Sequence, residues 1–571
     1  MPDLNAKKII EEIVGKSEDF EANMNTFIAS IGEYADLFKA KPPPRADRTF
    51  SNPRQTEFFR AASVVGTLQY RMMTSADPFF SLAPVNGDAD YDDLNTLTHV
   101  FKTQLKFAKY RQNLLRACKF LPVFGTVICQ EDYRTIGVSV FGRQIPVTVM
   151  MPRVLDQVMF DRSTTNIDEA DWLSTADLTS PVELMRLASE VKTLNAPWNA
   201  KALSAAAADV EQGSTINPRV LDRIRRSGFT QDEAMGKRKE LLMYYGKLDA
   251  ANDGVEYVAA LINRKHLVRF HANNFQHGRR PFRVAKWVDF DNALGYGLGS
   301  LLGNQHKAMD ANRQKEQDLS SFNSYGMFKR RKNTVADEDM VIRPLQIIDV
   351  ENMDDLMPIA GNPGAVEGLL RLDDVLKAEF RAASGASDTL QAIATDATAT
   401  ASSLAQTEAI RAASVHAEQN ADSLVREHLE NIHSNNVQNI RAPFNINAAG
   451  ISKRVYPADL RIDVEIEAKV TTDKDFTPER QKQLMTMLQI LTSTKSQHPD
   501  QVQISILPIV KELALTLGVN PSDVIMRPNM MPAAPNMGAA DLAGLAGLMA
   551  PATGPGGVQA VSTPVGQTLT A

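Results

Sequence analysis

The stretch PFRVAKWVDFDNALGYGLGSLLGNQHK, residues 281–307, changes character in its middle. Phe282 to Phe290 reads as a strand, and from Leu298 the spacing of apolar residues is helical to about Phe322. Between them stand Gly295, Gly297 and Gly299, with Gly303 one turn further on. A glycine-rich turn between a strand and a helix is where a dinucleotide fingerprint sits. The spacing is wrong for one. Gly-x-Gly-x-x-Gly needs glycine at 300 or 302, where Ser300 and Leu302 stand, and the acids that follow, Asp310 and Asp318, fall inside the helix. The other reading is steric: residues without a Cβ let a helix begin close against another backbone.

Working outward, residues 3–40 read as helical and end at Lys41-Pro-Pro-Pro44, with further helices expected at 53–75 and 92–117. From Phe120 to Phe160 the texture is β, with strands at 138–140, 145–151 and 154–160. Ser180-Pro181-Val-Glu183 has the form of a helix start and opens a helical region over 180–238. Strands are expected within 240–290, the first two joined by a turn at Asn252-Asp-Gly254. Beyond the long helix come a short β region at 325–350, a break at Asn362-Pro-Gly364, and helices at 366–383 and 398–434. Ile462, Val464 and Ile466 alternate with acids as in a strand with one wet face. Helices follow at 477–493 and 500–517, and the tail from Asn529, rich in Pro, Gly, Ala and Met, reads as flexible. The fold class is mixed α+β, with a small β insert between long helices.

Composition narrows the function classes. The 571 residues are 43% hydrophobic and 23% charged, with a net charge of −6, so the chain is neither disordered throughout nor uniformly basic. No apolar run approaches the ~20 residues of a spanning helix, and no basic-then-apolar leader opens the chain, so a soluble intracellular protein is expected. The two cysteines, Cys118 and Cys129, form no Cys-x-x-Cys. There is no Gly-x-x-x-x-Gly-Lys-Ser/Thr loop, no His-Glu-x-x-His and no Gly-x-Ser-x-Gly. The histidines at 266, 271, 277, 428 and 433 lack metal-ligand spacing. No metal, cofactor or enzymatic activity is expected.

Charge is uneven along the chain. Residues 215–290 hold 15 Lys/Arg against 8 Asp/Glu. Arg264, Lys265, Arg269, Arg279, Arg280 and Lys286 lie in this piece, and Lys329, Arg330, Arg331 and Lys332 form a second basic run after the long helix. One reading is a solvated or salt-bridged face. The other is phosphate contact, since clustered cations bind a polyanion without reading its sequence. The small-residue start of the 398–434 helix mildly favours packing against neighbouring chains.

Three stretches resemble the portal (head–tail connector) proteins of tailed bacteriophages, especially the short-tailed type. The first is Pro152-Arg-Val-Leu-Asp-Gln-Val-Met-Phe-Asp161 followed by Ile167-Asp-Glu-Ala-Asp-Trp172. The second is Pro281-Phe282 with Trp287, then Gly295-Tyr-Gly297-Leu-Gly299 leading to Gln305 and Asn312; Leu298 stands where an Arg is common in the family. The third is the order of elements over about 100–440. The resemblance implies a homo-oligomeric ring, a dodecamer in most of the family, at one capsid vertex in the virion, assembled in the host cytoplasm. Double-stranded DNA would pass through it during packaging and ejection. It would dock the terminase motor, tail adaptors, and capsid and scaffolding proteins, and would touch no membrane.

By position the resemblance assigns 1–178 to an N-terminal wing, 179–239 to a helical lead-in with the first stem helix, and 240–290 to the clip. It assigns 291–324 to the second stem helix, 325–475 to a wing with the channel loop and a long helix, 476–528 to the crown, and 529–571 to the tail. Arg264, Lys265, Arg269, Arg279, Arg280 and Lys286 become motor-docking candidates. Lys329, Arg330, Arg331 and Lys332 become channel candidates, and Gly295, Gly297 and Gly299 mark the start of the stem helix. The alternative is an intracellular enzyme that binds a phosphate-bearing ligand at the Gly295–Gly303 turn.

Overall fold

A computed structural model describes residues 6–42, 53–85, 91–137, 144–190, 198–208, 238–251, 253–273, 278–290, 292–325, 327–330, 356–359, 363–386, 414–448 and 451–470, with 275 and 486 singly. The chain is mixed helix and sheet.

The first helical stretch is two helices, α1 (Ala6–Asn23) and α2 (Asn25–Phe38), hinged at Met24. Ile9, Ile13 and Phe20 of α1 recur at helical spacing and are buried. Helix α3 (Glu57–Thr74) leads to strand β1 (Phe80–Pro84), and α4 (Tyr91–Phe107) and α5 (Tyr110–Phe124) follow, parted by Lys109 in the left-handed region at φ 53°. The β texture expected from Phe120 therefore starts later. Helix α5 runs on through Pro122 because Leu121 and Val123 complete its buried face, and Gly125, at φ 81°, ends it by donating its N–H to the Leu121 carbonyl. The Cys118 carbonyl, for which Pro122 has no N–H to offer, faces α3 at Gly66, where a Cβ would lie 2.5 Å from it.

Strands β2 (Thr126–Gly137), β3 (Gln144–Arg153), β4 (Val158–Phe160) and β5 (Trp172–Thr179) come next. The Ser180 cap forms as read: the Glu183 N–H donates to Ser180 Oγ at 3.2 Å and opens α6 (Pro181–Glu190). Helix α7 (Ala200–Ala208) follows; 191–197 and 209–237 lie outside the described residues.

The strands expected within 240–290 are β6 (Lys239–Lys247), β7 (Glu256–Ile262), β8 (His266–Ala272) and β9 (Phe282–Lys286). They do not stand apart as a small insert. Strand β5 pairs along its whole length with β6, giving a five-stranded antiparallel sheet in the order β4-β5-β6-β7-β8. Strand β9 pairs with β2 in a second sheet, β3-β2-β9. Apolar residues on both faces of β6 and β7 explain this, since Leu242, Tyr244, Ala259 and Leu261 are buried as completely as their neighbours and need cover on either side. The link between β6 and β7 is longer than a two-residue turn. Asp253 closes it by accepting from the Val255 N–H at 3.0 Å and the Tyr257 hydroxyl at 2.6 Å.

Helix α8 (Leu298–Tyr325) is the long helix expected from 298. Strands β10 (Met327–Arg330) and β11 (Leu356–Ile359) form an antiparallel ribbon, and α9 (Pro363–Ser384) begins on Pro363 itself, so Asn362-Pro-Gly364 opens a helix rather than merely breaking one. Residues 414–421 are helical, pass through a π segment at Asp422–Arg426, and continue as α10 (Glu427–Asn439). Strands β12 (Phe444–Ala448) and β13 (Ile451–Val455) pair with each other, and β14 (Val464–Ala468) pairs with β1 across almost four hundred residues. Its Ile466 is buried, as the alternation predicts. Residues 138–140, 398–413, the helices expected at 477–493 and 500–517, and the tail from 529 lie outside the described residues.

Two large apolar cores result, beside a small one of Ala108 with Ile145, Val147 and Val149. One joins α3, α4, α5, α10 and the start of α8, and the other lies between α1 and the five-stranded sheet. Among the described residues no helix is long and apolar enough to cross a membrane.

Candidate functional site

The start of α8 is set by four glycines. A Cβ on Gly125, Gly295, Gly297 or Gly299 would come under 3.0 Å from atoms of the facing segment, which for the first three is the backbone of 124–125 against that of 295–297. Gly299 lies against the Tyr34 ring and the Val123 carbonyl. The steric reading of the glycines is the one the geometry matches. Hydrogen bonds lock the crossing: Trp287 N–H to the Gly125 carbonyl at 2.8 Å, Gly295 N–H to Thr126 Oγ1 at 2.7 Å, and a two-way bridge between Val288 and Tyr296. The N–H groups of Gly295, Tyr296 and Gly297 thus have partners within the chain, Gly297's being Ser300 Oγ at 3.1 Å. Gly125 escaped the sequence reading, although a glycine just past an apolar helical run is a known stop signal.

The basic segment is largely neutralised within its own chain. Arg264 is held by Glu21 at 2.5 Å and by the buried Glu240 at 3.3 Å. Arg280 pairs with Glu256 at 2.7 Å, and Lys286 with Asp289 at 2.8 Å. Arg269 gives its Nε to His271 Nε2 at 2.9 Å and lies 5.3 Å from the centre of the Trp198 ring. Lys265 sits in the tight turn between β7 and β8. Arg279, 57% exposed, reaches Glu430 at 3.3 Å. Linear charge counting over 215–290 includes Glu240, Glu256 and Asp289 but misses Glu21, 243 residues from Arg264, and Glu430, 151 from Arg279. Of the second run, Lys329 and Arg330 lie on β10, whereas Arg331 and Lys332 lie outside the described residues.

Two buried ionic clusters were not foreseen. In the first, Glu131 of β2 takes Arg283 of β9 at 3.2 Å, His428 Nδ1 at 2.6 Å and the Asn431 amide. Burial alone would raise this carboxyl; Arg283, His428 and Asn431 hold it below the usual carboxylate range. His428 stacks on Tyr110, which stacks on Phe79, and the Tyr110 hydroxyl donates to the Leu424 carbonyl in the π segment. The cluster thereby ties α5, both strands and α10 together.

The second cluster fixes the middle of α8. Asp310 accepts from the Gln55 N–H at 2.8 Å and pairs with Arg54 at 3.0 Å, while the Gln55 side chain bridges Met309 and Asp373. His306, fully buried between Phe58 and Phe380, has no hydrogen bond to either ring nitrogen among the described residues. Burial, helped by Arg54, depresses its pKa to about 4. Burial also raises Asp310, against the Gln55 N–H and Arg54. His306 faces Phe380 while Asn312 donates to the Leu369 carbonyl, so α8 and α9 run antiparallel. The β10–β11 ribbon closes the far end of this hairpin.

The carboxylates, histidines and cysteines do not gather into a metal set of three or more among the described residues. Cys118 and Cys129 are buried, free thiols, and burial pushes both pKa values up. No protein-family model matches the chain, and no curated protein matches it at a significant level.

Proposed function

We propose that this chain is a bacteriophage portal protein, a subunit of a ring at one capsid vertex through which double-stranded DNA is packaged and ejected. The observation that carries the reading is the α8–α9 hairpin. Its base is pinned in the body by the glycine crossing, its middle by Asp310, and its far end carries the β10 ribbon with Lys329 and Arg330. Such an arm, repeated by cyclic symmetry, converges on an axis and brings a short basic segment towards it. Self-neutralised arginines elsewhere and a net charge of −6 suit a bore that must let phosphate slide, because many phosphate contacts would bind DNA tightly. The ring supplies shape and electrostatics. A terminase motor docked on it supplies ATP hydrolysis, and tail adaptors, capsid and scaffolding proteins take the remaining surfaces of the particle in the virion.

The competing phosphate-binding enzyme finds less support in the turn, because its glycines make the close backbone crossing with Gly125 and the Gly295 and Gly297 N–H groups already have partners. Mass by light scattering, together with a top view by negative-stain microscopy, tests the proposal. A closed ring with an axial hole wide enough for a duplex is expected. A monodisperse single subunit at high concentration would overturn it.

A further inference from the structure

The stretch from Leu94 to Gln130 holds six Lys/Arg and no Asp or Glu, in a chain whose net charge is −6. It forms most of α4, all of α5 and the start of β2. One of the six, Lys102, pairs with Asp77 at 3.1 Å. The other five, Lys106, Lys109, Arg111, Arg116 and Lys119, have no carboxylate within ion-pair distance among the described residues. Lys119 is half-buried and the other four are exposed. Arg264, Arg280 and Arg283, by contrast, are each answered by a carboxylate. The acids of the flanking helices stand elsewhere: Asp92 and Asp93 at the start of α4, and Glu57 at the start of α3, where Arg381 takes it at 3.2 Å.

A left-handed turn sets the cations of the two helices at one corner. Lys109, at φ 53°, donates its N–H to the Lys106 carbonyl at 3.2 Å, and its own carbonyl accepts from the Gln112 N–H at 3.1 Å. Lys109, Gln112, Arg116 and Lys119 then recur at three- and four-residue steps along one face of α5, opposite the buried Leu114, Ala117 and Leu121. At a rise of ~1.5 Å per residue this stripe is about 15 Å long. Over that length a duplex presents about nine phosphate charges. The Arg111 guanidinium lies 5.9 Å from the centre of the Phe79 ring and that of Arg116 5.2 Å from Phe120, so each rests on an aromatic face and not on an anion. No side chain caps α5 at Lys109, and the positive end of the helix adds to the same corner.

The chemistry of the face selects its partner. Among the described residues no large apolar side chain is left exposed on α4 or α5. A protein partner would find no apolar patch to bury there, and a membrane nothing to take into its interface. A phosphate backbone asks only for cations and polar donors along a line. We propose that this face of α5, with Lys106, binds the phosphate backbone of a nucleic-acid duplex without reading its sequence. Helix α5 ends at the glycine crossing before α8, whereas Lys329 and Arg330 lie beyond the far end of α8, so this is a second phosphate surface. The inference goes beyond the ring reading and does not depend on it, since a single chain holds the whole face.

The full chain is titrated with a fluorescent duplex at a series of salt concentrations, and binding is read by anisotropy. The unmodified chain is expected to bind in the micromolar range and to weaken steeply with salt. The triple variant Lys109→Asn, Arg116→Gln, Lys119→Gln removes three charges and keeps polar side chains, with asparagine suited to the left-handed position. It should bind ~10-fold or more weakly at about 0.1 M salt, and its slope of log affinity against log salt should fall by ~2 or more. Each single substitution should lower the slope by ~1, so the measurement survives a triple variant that fails to fold. The same losses are expected on top of Lys329→Gln with Arg330→Gln, which separates α5 from the β10 ribbon. A duplex that does not bind, unchanged binding in the folded variants, or weaker binding at an unchanged slope would each overturn the proposal. Polyglutamate or phosphatidylserine vesicles that compete as well as the duplex, charge for charge, would overturn the choice of a nucleic acid.

Discussion

Glu131 and Asp310 are both carboxylates near a histidine and an arginine, and both hold elements far apart in sequence, yet they titrate in opposite directions. Glu131 receives three side-chain donors, two of them able to carry positive charge, and stays ionised in the core. Asp310 has one backbone N–H and one guanidinium, and its histidine neighbour lies at 3.8 Å with no hydrogen bond between them. Burial decides for Asp310 and His306, and both drift towards their neutral forms. The number of charge-assisted donors, not burial, separates the two sites. The first cluster is a charged clamp joining β2, β9 and α10; the second is a plug between α3, α8 and α9 whose carboxylate has fewer donors and whose histidine has none.

The sharpest way to break this contrast is to remove the cation of the clamp. Arg283→Met leaves Glu131 buried without its guanidinium and should cost about 3–5 kcal/mol, read as a lower urea midpoint at unchanged slope. A loss below 1 kcal/mol would show that His428 and Asn431 suffice, and the clamp would lose its charged character.

Acid separates the two sites next. His306 has a folded value of about 4 against an ordinary 6.5, so between these pH values the unfolded chain binds a proton that the folded chain refuses. Stability present above pH 6.5 should fall by about 3 kcal/mol as pH approaches 4. Glu131, lowered on folding, contributes stability that is present above its ordinary value of 4.5 and is lost as pH falls from there through its folded value. His306→Leu should flatten the melting temperature across the first window, leaving the residual slope of His99, His271, His416 and His433, which burial also lowers. An unchanged slope in His306→Leu would remove the plug from the account.

The smallest effect belongs outside both sites. Arg279, the most exposed of the ion-paired candidates in the basic segment, should change stability by no more than ~0.5 kcal/mol on substitution by alanine, by thermal melt. It is therefore a clean probe of docking, whereas charge reversal at Arg280 or Lys286 would break a pair within the chain. Loss of folding in Arg279→Ala would move it from surface to scaffold.

Much of the helical framework was legible in the sequence, for definite reasons. Ile9, Ile13 and Phe20 repeat at helical spacing, Ser180 caps α6, and the glycines at 295–299 announce a close approach before Leu298. The element boundaries moved where a local signal met a packed neighbour. The β texture expected from Phe120 gives way to helix there, because the last turn of α5 retains its buried face through Pro122. The sheets were less legible. Strand β6 was expected to belong to an insert and instead continues β5, because the pairing choice depends on which apolar faces meet across the fold. The ion pairs of the basic segment were partly hidden for a similar reason, since Glu21, which answers Arg264, and Glu430, which answers Arg279, stand outside it.

The sequence by itself determined the α+β class, the start of the long helix at the glycine run, and the Ser180 cap, because each rests on short-range sterics or hydrogen bonds among residues a few positions apart. Only the tertiary structure decided that β1 pairs with β14, that Gly125 receives the glycine crossing, that Glu131 meets His428, and that Phe290 is left bare. Those facts join residues as much as almost four hundred positions apart, where local preference is silent and the burial of apolar faces chooses the partners.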